Sequence, residues 1–357
     1  MTIEVEKYLE EIIGEIDFSA LNDFLNGHMR TQMSFRELVA AVSANGLEAL
    51  NRENITTFVF DSVLYELSLA RPMFVKMLVF SLLFSIIHRL LVTKNKYVSN
   101  ISFLIIYAIL MVFLMQSFFL VKEIALEGIE ALLMFINALI PTYAATMVFT
   151  GSAVSGAMLY EIAFFVVYLV EFLMKNFLSP VIHVFILVLF LNHLFDEDKL
   201  SKLAQFIEMG VVLLLKTTFG VVIGLGVVQS LLTPAKDRLA SHTVLSGMSS
   251  LPGVGNLVGS AGEIILSCGM LIKNSIGVVG LIIVFIMAVV PVLKIGCFWI
   301  MYHLISITLQ PVADSRITEC VSAVARGCDL YLKMVVYSMM LFFVLFSMIT
   351  VATTFVF

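Results

Sequence analysis

Residues 101–121 read ISFLIIYAILMVFLMQSFFLV, twenty-one positions with no charge, no glycine and no proline. A helix that crosses the hydrocarbon of a bilayer needs about 20 predominantly apolar residues. In lipid the backbone must satisfy its own polar groups, and an uninterrupted helix does so. Similar runs lie on either side. Uncharged stretches fall at 77–87, 131–160, 176–195, 217–235, 274–293, 295–313 and 334–357. With basic residues tolerated near helix ends, spans are expected near 73–92, 101–121, 160–176, 180–195, 205–229, 275–300 and 333–356. The stretch 131–150 is an eighth candidate, which Asn137, Pro141 and Thr142 would make interfacial or broken. Ser179-Pro180 predicts a restart of the helix at that point.

The composition agrees. The chain is 61% hydrophobic and 13% charged, where ordinary soluble domains carry about 25% charged residues. A soluble chain of this length could not hide so much apolar surface from water, so the expected class is all-α, a polytopic helical membrane protein with about seven or eight spans. Two domains are expected, an acidic helical one at 1–71 and a transmembrane one at 72–357. Residues 1–72 hold five Lys/Arg against twelve Asp/Glu, net −7, and the remainder is net +2. Nucleic-acid binding needs a basic face, so no nucleic-acid partner is expected.

The head reads as short helices. Tyr8, Leu9, Ile12, Ile13 and Ile16 recur at helical spacing. Ser34-Phe35-Arg36-Glu37 fits a capping box that opens a helix to about Leu50, and a third helix is expected from Ile55 to Ala70. Seventy residues is little for an independent core, so the head is expected to rest on a partner or on the membrane body. The 88–100 connection holds Arg89, Lys94 and Lys96 without an acid, whereas Glu123, Glu127 and Glu130 follow the second span. The positive-inside rule then puts 88–100 in the cytoplasm and the head outside. No apolar signal stretch precedes the first span. A trimmed signal, export by the first span itself and a cytoplasmic head therefore all stay open, with the outside location favoured.

Residues 246–280 hold eight of the twenty glycines. The segment is too polar at its start for an ordinary span and too apolar for an ordinary loop. Two readings stand, a re-entrant hairpin at a pore and a surface loop leading into a tightly packed helix. The first makes Gly253, Gly255, Gly259 and Gly262 candidate pore or gate residues. Gly220 and Gly224 form a small-xxx-small pair suited to a helix contact. Charged groups inside spans are the other candidates, because they are costly there unless paired or hydrated. Glu171 and Lys175 are four apart in the order that favours a helical ion pair, and helix-end anchoring is the plainer reading. Lys216 stands deepest in an apolar run and could line a pore, pair with a partner or snorkel to an interface. Lys273 and Lys294 bracket an apolar stretch and read as end anchors. His183 and His193 do not share a face as metal ligands would.

No chemistry-bearing motif stands out. There is no H-E-x-x-H, no G-x-S-G, no P-loop and no aspartate pair inside apolar spans, so no enzyme activity, cofactor or metal is expected. Asp196-Glu197-Asp198-Lys199 reads as a polar turn. Cys268, Cys297, Cys320 and Cys328 lack C-x-x-C spacing and read as buried small hydrophobes.

Three blocks carry a family resemblance. Leu251-Pro252-Gly253-Val254-Gly255, Leu271-Ile272-Lys273-Asn274-Ser275-Ile276-Gly277 and Leu309-Gln310-Pro311-Val312-Ala313-Asp314-Ser315-Arg316-Ile317, in this order and at these distances, resemble stage III sporulation protein AE of endospore-forming bacteria. The resemblance implies a multi-pass protein of the mother-cell membrane around the forespore. It implies partners from the same sporulation operon, ring-forming components and an ATPase among them, together with stage II sporulation protein Q and membrane lipid. The implied role is a component of a channel or feeding tube between the two cells, pore- or gate-forming, with self-association into a homo-oligomer. A secondary transporter and a purely structural anchor are the rival readings. A pore within one chain and a pore between chains remain equally open.

Overall fold

A computed structural model describes residues 11–28, 34–46, 65, 68, 71–72, 74–87, 96–149, 153–194, 199–248, 255–311 and 313–352. Among them there is no strand. The helices are α1 (Ser19–His28), α2 (Phe35–Asn45), α3 (Phe74–Ile87), α4 (Lys96–Phe149), α5 (Ala153–Glu171), α6 (Ser179–Leu194), α7 (Ser201–Met248), α8 (Gly255–Leu309) and α9 (Ser315–Ala352). A π-helical segment, Phe172–Leu178, joins α5 to α6.

The helical membrane class holds, with the spans grouped differently. Five helical stretches are long and apolar enough to cross a membrane by length and composition, and α3 is a shorter apolar one. The stretches 101–121 and 131–150 are two parts of α4, a single helix of 54 residues. Lys122, Glu123, Glu127 and Glu130 lie between them, but such side chains are good helix formers and give the backbone no reason to stop. Likewise 160–176 and 180–195 belong to one helical run. Pro180 removes one backbone donor and crowds the preceding turn. The turn before it widens instead of breaking, and the Ser179 amide donates to the Met174 carbonyl, five residues back.

The long helices alternate in direction. Ser117 meets Tyr302, Gly128 meets Pro291 and Leu139 meets Gly280, so α4 and α8 run antiparallel along most of their length. Gly128 is what lets Pro291 approach, since a Cβ there would lie 2.8 Å from the proline ring. Arg316 sits over Phe103 and Tyr331 beside Phe118, so α9 runs parallel to α4. Glu208 beside Arg326 and Phe219 beside Tyr337 make α7 parallel to α9 as well. The α5–α6 run descends beside α4, with Lys175 at Glu130 and Tyr107 at Phe190. The outcome is a five-stemmed up-down bundle with α9 near its axis, touching α4 through α8. Phe118, Phe185, Phe190, Tyr302, Tyr331 and Phe342 are each fully buried there. Burial of this kind contributes roughly 1.5–3 kcal/mol per large side chain against an aqueous reference.

The head rests on this body. The Ser34–Glu37 capping box forms at the start of α2, which ends at Asn45, short of the expected Leu50. Asn22 accepts from the Phe35 amide at 2.8 Å and ties α1 to α2. Phe24 stacks 5.5 Å from Phe135 of α4, and Thr142 donates to the Asp17 carbonyl at 3.3 Å. Of the helix expected at 55–70, only Tyr65 and Ser68 are described, both helical.

Candidate functional site

Among the described residues a concave feature lies where α8 turns into α9, at the end of the bundle away from the head. The turn is built by its own sequence. The Ala313 amide donates to the Leu309 carbonyl at 2.7 Å and closes α8. Pro311, which cannot continue a helix, follows the last helical residue by two. Asp314 then opens α9 by accepting from the Arg316 amide at 2.9 Å, an N-capping role suited to its short carboxylate. Asn192, buried at the end of α6, accepts from the Leu200 amide at 2.7 Å and fixes the neighbouring turn into α7. Between the two turns is a cavity of about 570 Å³, lined by Asn192, His193, Gln205, Asp314, Glu319 and Arg326 among others.

Its charges are held rather than loose. The Arg316 Nε lies 3.4 Å from Asp314, and its guanidinium plane stacks 3.7 Å from the centre of the Phe103 ring. Arg326 pairs with Glu208 across α9 and α7 and lies over Phe185. The cavity is thus a charged vestibule whose guanidinium groups clamp four helices together, α4, α6, α7 and α9, and it can receive a polar or charged segment. Among the described residues no group of three or more His, Cys, Asp or Glu is placed to hold a metal ion.

A second polar feature crosses the middle of the bundle. The Tyr331 hydroxyl reaches Ser179 Oγ at 3.1 Å and His183 Nδ1 at 3.2 Å, next to the π-helical segment. Phe118 and Phe119 flank the imidazole. Ser117 and Tyr302 share a hydrogen bond in the same layer.

The candidates read from sequence do not converge on either feature. Lys175 pairs with Glu130 of α4 at 3.6 Å and not with Glu171. Lys175 lies within the π-helical segment that Glu171 precedes. Lys216 is exposed on the outer face of α7. Gly255 opens α8, with Gly259 and Gly262 in its first turns, at the opposite end from the cavity, and Gly253 lies outside the described residues. Lys273 departs most from expectation. It is 1% exposed, inside the bundle and not at a helix end in water. The Asn274 side-chain oxygen beside it is buried without a hydrogen-bond partner among the described residues. Cys268, Cys320 and Cys328 are buried free thiols and Cys297 is half-buried. The cavity residues Arg326 and Glu319, and Glu208 paired with Arg326, carried no sequence signal of their own; Asp314 and Arg316 belonged to a recognisable block without an assigned role.

The comparisons with known proteins follow the same blocks. The family model described as stage III sporulation protein AE matches residues 33–353. A curated relative, stage III sporulation protein AE of Bacillus subtilis (strain 168), is 24% identical over 256 residues, 71% of this chain and 64% of the relative. The match thus spans just under two thirds of that relative's own length. No solved structure matches.

Proposed function

This chain belongs to the stage III sporulation protein AE family, and on that premise we propose that it is a non-enzymatic membrane component of the channel complex linking mother cell and forespore. It resides in the mother-cell membrane, with the acidic head on the extracytoplasmic side among the ring-forming partners. Stage II sporulation protein Q lies on the same side, and the operon's ATPase supplies any energy. Any conduit to which it contributes runs between copies.

One observation carries that last choice, the filled axis. Helix α9 occupies the centre and contributes the fully buried Tyr331, and Phe118, Phe185 and Phe190, each fully buried, close around it. Such packing leaves no path for a hydrated solute among the described residues. The secondary-transporter reading calls for broken helices meeting at mid-membrane, and the continuous run through Ser179-Pro180 does not favour it. The anchor reading is favoured by the same filled axis and is the one to test against.

The test uses purified protein in sealed liposomes loaded with a small fluorescent dye. Retention at one copy per vesicle, with release at higher copy number or once the partner proteins are added, supports a conduit between copies. Release at one copy per vesicle overturns it in favour of a pore within the chain. Retention under every condition overturns it in favour of an anchor.

A further inference from the structure

Helix α7 is the least covered of the long helices. Only 28% of its most apolar window is buried, against 39–50% in the other four candidate spans. Phe206, Met209 and Leu213 are 74%, 70% and 62% exposed on its outer face. Above them on that face come Lys216, Gly220 and Gly224, and a Cβ added at either glycine would meet nothing within 4 Å. Lys216 has no ion-pair partner among the described residues. A lysine inside the candidate span Ser201–Val228 is costly against hydrocarbon unless something answers its charge.

The answering charge exists on another flank of the same molecule. Helix α4 exposes Glu123 and Glu127 directly above its own apolar run. The neighbouring Glu130 is already engaged by Lys175. Helices α5 and α6 touch both α4 and α7 and separate the two flanks. Height decides whether the flanks can meet. Copies in one membrane share orientation and depth, so only groups at equal height come together. Glu208 beside Arg326 and Phe219 beside Tyr337 set α7 against α9, and Phe118 beside Tyr331 sets α9 against α4. Carried along the helices, these registers put Lys216 level with Met334 and Val121. Glu123 is then about 3 Å and Glu127 about 9 Å higher, at 1.5 Å per residue. On both ascending helices the side chains lean the same way, so the offsets persist and the flexible Lys216 stem spans them.

We propose that a second copy of this chain seats the α4 face bearing Glu123 and Glu127 on the α7 face, with the Lys216 stem reaching up to the carboxylates and Gly220 and Gly224 admitting close approach. The contact joins two different faces, so it repeats from copy to copy and can close into a ring. It rests on the reading above only in that copies associate, and its test does not involve passage of any solute.

The test is oxidative cross-linking in native membranes. The full chain carries Gly220→Cys and Glu127→Cys in a Cys297→Ser background, the other three thiols being buried. The double variant should give a ladder beyond the dimer, at least about tenfold above either single variant. No band above the monomer overturns the proposal in favour of a lipid-covered face. A dimer from Gly220→Cys alone overturns it in favour of a self-complementary contact. A second measurement guards against misfolding. Lys216→Glu should weaken self-association, read by sizing in detergent, at least about tenfold, and Glu123→Lys added to it should restore the oligomer. Unchanged association in Lys216→Glu also overturns the proposal.

Discussion

Replacing Gly327 with alanine puts a carbon where α9 is crossed by two other helices. A Cβ there would press against the Ile186 side chain of α6 and lie 2.7 Å from the Phe118 ring of α4. Neither neighbour can easily move. Ile186 and Phe118 are both fully buried, and the Phe118 ring is wedged against Tyr331 and His183. Overpacking of this kind costs about 1–3 kcal/mol. Alanine gives back up to about 1 kcal/mol of helix propensity relative to glycine. Because two fully buried neighbours are met at once, the cost belongs at the upper end of that range, and the net expectation is a loss of up to about 2 kcal/mol, or on the order of 2–4 °C in Tm. Cys268, Cys320 and Cys328 supply the readout, because all three thiols are buried in the fold. A thiol-reactive dye added during a thermal ramp in detergent stays dark until the bundle opens. Gly296→Ala is the matched control, since a Cβ at Gly296 meets nothing within 4 Å. Its Tm should hold or rise. A Gly327→Ala protein that melts at or above the parent would refute the crossing of α9, α6 and α4 described above.

Other expectations follow from named contacts. Tyr331→Phe removes the hydroxyl shared by Ser179 and His183. It should cost about 1 kcal/mol, seen as a lower Tm in the same dye assay; an unchanged Tm would mean the hydroxyl contributes nothing. In a double-mutant cycle on Glu208 and Arg326, each alanine should cost about 1–2 kcal/mol, since the pair is about a third exposed. The double variant should cost clearly less than the sum, and strict additivity would argue against the pairing. Hydrogen bonds from the Ser19 side chain and amide hold the Asp17 carboxyl below its ordinary range, with a smaller pull from Arg36. The folded value lies below the unfolded one, so the stabilisation is present above the unfolded value and is lost as pH falls through the folded one. Amide-exchange protection of the first turn of α1 should therefore be level near neutrality and decline in acid. Asp17→Asn should abolish that acid decline.

The apolar runs, the capping box at Ser34 and the absence of strands were legible in the chain because each depends on neighbours a few residues away. The grouping of runs into helices was not. Glu123, Glu127 and Glu130 look like a connection when read for hydropathy, yet all three stand on the exposed side of one unbroken helix. Lys273 looks like an end anchor for the same reason. Its burial is decided by side chains far from it in sequence, since this part of α8 lies beside the upper part of α4 and the head. The cavity could not be found by spacing at all. Its lining comes from the end of α6, the start of α7 and the start of α9, brought together only by the turns at Asn192 and Asp314.

The layer of hydroxyls and charges across the bundle explains how such long apolar helices keep one height relative to each other. Leucine, valine and phenylalanine on neighbouring stems would tolerate sliding by a turn, since one apolar contact replaces another at little cost. A slip of one turn is about 5.4 Å. At that distance Tyr331 loses Ser179 and His183, and Ser117 loses Tyr302. Polar groups stripped of partners inside a low-dielectric interior are far more costly than a displaced methyl group. The polar contacts therefore select a single register among several of similar apolar burial. They do so at a depth where α4, the α5–α6 run, α8 and α9 each contribute at least one member.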